Sequence, residues 1–512
     1  MLVLALVLSL PFWEFLPEFA VKGDSVYVTV ETRDTVEGWN VYVNYLEGAD
    51  RMLEVRDDYT WWRRYKKPTK NLSVSFPIVG EGVYEVRLAG WDAEKKSLIA
   101  SSDCFLRVVR KGDHFVKSLM FVSPPLIALT EDGKGIVYWE MDTPCSSKVF
   151  VGGKTAQGVE NFGRFHSAYL PVGSDRYTIV CFANGDTVRL GPVWYRVPQG
   201  AKPLRIGIMG DTRSSMLHPS CDWRVFGVNG AVVGRMAEEM LRYNLDCVVV
   251  CGDLIYGSSD DTLSTLLEYR TWKRYMALLG AHIPVMVVFG NHEAVSPGIR
   301  EGRRWKGAPP PVCAETFWER QFAMPHNGPP AQKGLPTYNG NVYWFRIGTV
   351  LFVVLNSDYF YRNPEGGVRP EQIEWLRSVI NTEDYDYAFA FAHEPLYPVG
   401  FHYASGSPFP LKDIASILSG KVPAFFCGHE HLYARLRIDS KVDAFWNKAI
   451  WQVITGGGGA PMTGMADSLP YRENVKSFSI EKHFIVLEVG DEGWSCSVWN
   501  LRGKLLDYWE ER

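Results

Sequence analysis

Cys247-Val-Val-Val-Cys-Gly-Asp-Leu-Ile-Tyr256 decides how the larger part of this chain is read. A short apolar run that stops at Gly-Asp fits a strand buried on both faces, ending in a turn that holds a carboxylate at the strand's carboxyl end. The same grammar recurs on either side. Strand-like 204–210 runs into Asp211, and 285–290 into Asn291-His292-Glu293. Further along, 387–392 runs into His393-Glu394-Pro395, and 424–427 into Gly428-His429-Glu430-His431. Apolar spacing predicts helices over 231–241, 265–279, 370–380 and 411–418, and a strand over 351–355. Strands alternating with helices imply an α/β layered fold. β-like segments at 484–489 and 494–499 close the chain.

The first two hundred residues read differently. Runs such as Ser25-Val-Tyr-Val-Thr-Val-Glu31, Trp39-Asn-Val-Tyr-Val-Asn-Tyr45 and Gly82-Val-Tyr-Glu-Val-Arg-Leu88 alternate with period two between Gly, Asp and Asn turns. That pattern predicts an immunoglobulin-like β-sandwich over 20–112. Residues 117–199 repeat it as a second sandwich, and Val197-Pro-Gln-Gly-Ala-Lys-Pro203 reads as a linker to a catalytic domain over 203–512. A chain of 512 residues is too long for one core, in keeping with several domains. Residues 1–19 begin with an apolar run whose length suits an export signal. No Lys or Arg precedes that run, however, and no A-x-A site follows, so a first strand is the competing reading. An export segment would place the protein outside the cytoplasm or secrete it; a first strand leaves the cytoplasm open.

Composition excludes some classes. With 54 basic and 58 acidic residues the net charge is −4, which argues against a nucleic-acid-binding partner. Trp61-Trp62-Arg-Arg-Tyr-Lys-Lys67 is the one local basic stretch, and a solvated strand or loop is its plain reading. Exposed, Trp61-Trp62 would offer a platform for a glycan or protein partner, the rival to an enzymatic reading. No apolar run is long enough to span a bilayer. Nine cysteines leave at least one unpaired. Cys247, Cys251 and Cys427 sit in apolar strands as small hydrophobes, whereas Cys221 with Cys313, or Cys145 with Cys181, are candidate pairs.

The motifs carry the chemistry. Asp, Asn and His are oxygen and nitrogen donors suited to hard and borderline metal ions. A strand-end Gly-Asp alone is usually a turn, and a lone buried His is usually a core residue. Here four of the eleven histidines fall in such motifs, two of them as His-x-His. In open α/β sheets the ligand site lies beyond the carboxyl ends of the strands, so these side chains should converge. Glu293, Glu394 and Glu430 directly follow histidines of the set; they either orient those groups or are surface loop carboxylates. A serine hydrolase or P-loop enzyme is disfavoured: Gly-x-Ser-x-Gly is absent from the strand–helix turns, and Gly456–Gly459 lacks the following Lys-Ser/Thr. That run reads as a glycine-rich loop near the site mouth.

The ordered blocks GDT at 210, GDLIY at 252, GNHE at 290, AHEP at 392 and GHEH at 428 resemble the calcineurin-like metallophosphoesterases, and within them the purple acid phosphatases. Asn327-Gly-Pro329, Leu355-Asn-Ser-Asp358 and Thr455-Gly-Gly-Gly-Gly-Ala460 extend the resemblance. It implies a four-layer α/β/β/α catalytic domain preceded by a fibronectin-like sandwich at 117–199. It also implies two metal ions, iron with iron, manganese or zinc, and hydrolysis of a phosphomonoester by attack of a metal-bound hydroxide on phosphorus. A phosphodiesterase acting on nucleotide, nucleic acid or phospholipid is the alternative. Carried over residue by residue, Asp253 bridges both metals, Asp211, His431 and Tyr256 hold the first, and Asn291, His393 and His429 the second. His292 hydrogen-bonds the phosphate and helps protonate the leaving group; His402, nine residues after His393, is a second candidate acid or a plain loop residue. The chain departs from the wider superfamily at Arg213, which stands where Asp-x-His is usual. Arg213 either contacts substrate phosphate or fills the space of the absent histidine. The insertion 294–341, with Arg300, Arg303 and Arg304, is expected to shape the rim.

Overall fold

The computed structural model describes residues 16–54, 59–92, 97–214, 227–257, 262–295, 313–360 and 366–512. Residues 1–15 of the expected export segment, Cys221 and the arginines at 300, 303 and 304 lie outside these residues.

The amino-terminal part is all-β. A three-stranded sheet (Glu18–Lys22, Ser25–Val36, Thr69–Pro77) faces a five-stranded one ordered Trp61–Tyr65, Gly38–Leu46, Gly82–Asp92, Ser97–Lys111, His114–Ser118. Period-two alternation produces this packing: Val26, Val28 and Val30 from one sheet meet Val41, Val43, Val86 and Leu88 from the other in a single apolar core. Trp61–Tyr65 is an edge strand with Trp62 in solvent, in line with the plain reading of the basic stretch. A seven-stranded antiparallel system follows, built on the long strand Gly135–Val151. Cys145 and Cys181 are neighbouring buried thiols within it and are unbridged.

Two sheets carry the rest. The first, of six strands, runs Val285–Val287, Cys247–Val250, Leu204–Met209, His483–Val489, Trp494–Asn500, Leu505–Glu511; its first three strands are parallel. The second, of seven, has a parallel centre of Val350–Val354, Tyr387–Phe391, Ala424–Cys427 and Ile450–Thr455. Alternate residues of this second sheet go to opposite sides. Phe352, Phe389, Phe391 and Phe426 pack toward the first sheet, whereas Leu351, Val353, Ala390 and Phe425 pack under the helices Pro370–Thr382 and Leu411–Leu418. Helices α1 (Gly230–Met240) and α2 (Thr262–Gly280) cover the outer face of the first sheet. The architecture is therefore α/β/β/α behind an all-β amino-terminal region. Among the described residues, no helix is long and apolar enough to cross a membrane.

Helix α2 is the element that sequence periodicity understated. It is buried almost all round, charged residues included. Leu267 joins the core of the first sandwich, while Trp272, Tyr275 and Met276 join the core that runs without a break from the second sandwich through the six-stranded sheet. Its Arg270 makes a two-bond pair with Glu140 of the second sandwich, at 2.9 and 2.7 Å. Burial works against the Glu140 charge, but Arg270 outweighs it and holds that carboxyl below the ordinary range. One turn on, Arg274 lies 3.4 Å from Glu85 of the first sandwich. Removing one member of such a buried pair strands the other charge. Arg270→Ala is expected to cost about 3–5 kcal/mol in denaturant unfolding, and the double change Glu140→Gln with Arg270→Met distinctly less. A single change no worse than the double would deny the pair this role.

Candidate metal centre

All five motifs sit at the carboxyl ends of parallel strands, and the two sheets bring those ends together. Three of the residues there, Asp211, Asp253 and His429, have left-handed backbone with φ of 58°, 53° and 67°. Such conformations are costly outside glycine and persist where surrounding bonds over-determine them. The bonds are present. The Asp211 carboxylate accepts from the backbone N–H of His429 at 3.0 and 3.1 Å, and Asp253 Oδ1 accepts from that of His292 at 3.1 Å. Each carboxylate thus ties its own loop to a loop from another strand.

Asp211, Asp253 and His431 place ligand atoms within 4.8 Å of one another. On the other side of Asp253, His393 Nε2 lies 3.1 Å from Asp253 Oδ1 and 2.9 Å from Asn291 Oδ1. His429 Nδ1 approaches Asn291 Oδ1 at 3.1 Å and His393 Nε2 at 3.2 Å. Backbone carbonyls fix which nitrogen faces inward. His393 Nδ1 donates to Cys251 O at 2.8 Å, His431 Nδ1 to Pro461 O at 2.9 Å, and His292 Nδ1 to Tyr256 O. A carbonyl only accepts, so each Nδ1 carries a proton and each Nε2 is the atom that faces the cluster. Arg213 reaches between the carboxylate and the histidine, with Nε 3.1 Å from Asp253 Oδ2 and Nη2 3.1 Å from His431 Nε2. It enters the ligand cluster. His402 lies against His429, tilted by 38° with ring centroids 4.0 Å apart. Tyr256 lies beside His292, centroids 5.7 Å apart.

This donor set fits cations. Asp211 and Asp253 are both buried, and burial pushes Asp211 up to about 7, with the neighbouring Asp253 charge adding to it. Asp253 stays well below the usual range: burial opposes its charge, but His393 and His292 outweigh the burial. Burial, then Arg213, lowers His431 to about 3 and His292 to about 4, leaving neutral imidazoles with available lone pairs.

Two residues left open by the sequence are resolved by their partners. Glu293 is fully buried, and its carboxylate accepts from the backbone N–H of Gly290, Asp253 and Leu254 at 2.8–2.9 Å and of Ile255 at 3.3 Å, binding the second motif to the third. Glu430 accepts from Val399 and Gly400 at 2.7 Å, binding the fifth motif to the loop after the fourth. Neither is a surface carboxylate. Glu394 is half-buried against Asp358. The glycine run is likewise not at the mouth. Gly456–Gly459 is buried beneath the first motif, where a Cβ at Gly458 would lie 2.4 Å from Gly210 O and one at Gly456 2.1 Å from Glu430 O. Helix α2 completes the support: Trp272 Nε1 donates to Thr212 Oγ1 at 3.0 Å, and Glu268 accepts from Gly257 N at 2.7 Å. Only the position of each Glu after a histidine signalled any of this in the sequence.

Residues 204–433 match the family model of the calcineurin-like phosphoesterases. This part of the chain is similar to a calcineurin-like phosphoesterase domain. The human serine/threonine-protein phosphatase CPPED1 is 28% identical over 194 residues, 36% of this chain and 52% of that protein. Its mouse counterpart is 25% identical over the same length. The chain thus matches about half the length of these curated relatives. Purple acid phosphatase PPD1 from yellow lupin (Lupinus luteus) seeds superimposes over 96% of this chain and 93% of its own, with a TM-score of 0.62 at 15% identity. That likeness is one of fold, and it includes the all-β amino-terminal region.

Two outcomes test the phosphoesterase centre. Cation binding must displace the proton that Asp211 holds below about 7, so metal affinity should rise between pH 5.5 and 8 with proton release, measured by calorimetry in two buffers. A pH-independent affinity would contradict the assignment. Glu293→Ala leaves four N–H donors without their acceptor and should reduce bound metal per chain although no ligand is removed; unchanged metal content would show that the clamp is dispensable.

Proposed function

We propose that the chain is a dinuclear metal-dependent phosphoesterase acting on phosphomonoesters. One observation carries the reading: the buried Asp253 carboxylate turns one oxygen toward His393, beside Asn291 and His429, and lies within ligand distance of Asp211 and His431 on its other side. A carboxylate shared in this way holds two cations about 3.5–4 Å apart, the spacing that clamps an in-line displacement. Asp211 and His431 would hold the first cation, with Tyr256 as a further ligand; Asn291, His393 and His429 would complete the second. Iron paired with iron, manganese or zinc suits that set. When bound, the pair supplies Lewis acidity, which acidifies water and offsets phosphoryl charge.

The chain's own residues do the rest. Arg213, half-buried and hydrogen-bonded to Asp253, presents a planar guanidinium beside the cluster and is placed to grip phosphate oxygens as charge builds there. His292 is anchored through Nδ1, so Nε2 is the atom that meets the phosphoryl group and passes a proton to the leaving oxygen. Burial keeps this imidazole neutral above about pH 4, so that proton arrives with a protonated substrate or from acidic medium. His402, against His429, is the second acid.

The deciding experiment measures metal content and turnover of chromogenic phosphomonoesters and phosphodiesters together. About two metals per chain with faster monoester cleavage is the expected result. Asp253→Asn should then lower turnover by at least about a hundredfold and release metal, because the carboxylate that would be shared by the two cations becomes a neutral amide. Near-normal turnover in that variant would sink the dinuclear reading, and faster diester cleavage would move the substrate class.

A further inference from the structure

Phe401 is the most exposed large apolar side chain among the described residues, at 80%. Single exposed hydrophobic residues are ordinary, so exposure alone means nothing. Its setting is different. Phe401 packs edge-on against His402, with centroids 5.3 Å apart, and His402 in turn lies against His429 of the metal centre, tilted by 38° with centroids 4.0 Å apart. The ring is therefore two aromatic contacts from the donor set.

The segment that bears it is fixed. The buried Glu430 carboxylate accepts from the backbone N–H of Val399, Gly400 and His402. Ala466 N donates to Val399 O at 2.9 Å, and Thr463 N to His431 O at 2.8 Å, so one neighbouring strand of chain lines both the strap and the metal-site histidine. Gly400 has no room for a Cβ, which would meet Leu432, Glu430 and Gly464 within 3.2 Å. A strap tied at its backbone, with a phenyl ring turned into solvent beside the reaction centre, has already met the ordering cost that a flexible loop would incur on binding.

Building on the phosphoesterase reading, we propose that Phe401 is a stacking platform for a planar aromatic group carried next to the phosphate, which makes aromatic phosphomonoesters the preferred substrate class. The ring sets specificity; it takes no part in bond breaking. An alkyl ester of similar charge fills the phosphoryl site equally well and leaves the platform unused. Offset or edge-on ring pairs favour the aromatic ligand by about threefold to tenfold.

The test uses binding, so it does not depend on turnover. Calorimetry on the metal-loaded full chain compares phenylphosphonate with methylphosphonate, neither of which is hydrolysed. The wild type should bind the phenyl compound about threefold to tenfold more tightly. Phe401→Ala should abolish that preference with methylphosphonate affinity unchanged, and Phe401→Trp should keep it. Equal affinities in the wild type, or a preference that survives in Phe401→Ala, overturn the proposal. Phenyl phosphate turnover is assayed alongside. A protein that prefers phenylphosphonate through Phe401 but cleaves nothing upholds the platform and rejects the phosphoesterase reading. One that cleaves phenyl phosphate without the preference rejects the platform alone.

Discussion

Two carboxylates are buried side by side where two sheets meet at their strand ends, and most of what surrounds Asp211 and Asp253 answers that repulsion. Burial strips both carboxylates of water and the neighbouring Asp253 charge adds to that cost, so that Asp211 holds its proton up to about 7. The polypeptide offsets part of it with Arg213, with His393 and with backbone N–H groups from His429 and His292. Cations complete the compensation, which is why a pair of acids intolerable in an ordinary core is acceptable here. Stability has been given up locally in exchange for a site with appetite for positive charge.

Holding that arrangement requires more than the ligands. Each motif loop is bound to another by an interaction a ligand list would omit: Glu293 between the second and third, Glu430 between the fifth and the loop after the fourth, and the glycine run packed beneath the first. The left-handed backbone at Asp211, Asp253 and His429 is affordable only because these cross-links leave no alternative. Helix α2 connects the same loops to the amino-terminal sheets through Trp272 and Glu268 on one side and Arg270 and Arg274 on the other.

The sequence made the strand-end motifs and their convergence legible, because a short apolar run closed by Gly-Asp or Gly-Asn-His has few structural readings. Helices with one apolar stripe, such as Pro370–Thr382 and Leu411–Leu418, were equally readable. Helix α2 was not. Its surroundings are apolar on some sides and ionic on others, so its buried Arg270, Lys273 and Arg274 look like a solvent face to any periodicity argument. Glu293 and Glu430 were ambiguous for a related reason: a carboxylate that serves backbone N–H groups leaves no partner in the sequence to recognise. Gly456–Gly459 pointed to a loop at the mouth, yet close approach to backbone, which glycine also permits, was the actual use. Phe401 had no signal at all, since an aromatic residue before a histidine is as readily core as rim.

The continuity of the core through α2 bears on how such a chain could change over time. A sheet that lends its interior to the neighbouring module cannot be traded for another by recombination at the 197–203 segment without leaving Arg270 and Arg274 facing nothing. The amino-terminal sheets and the catalytic layers are therefore coupled through one shared interior. The surface around the metal centre is the part of the catalytic layers where loops can lengthen and rim side chains can be replaced without touching that interior.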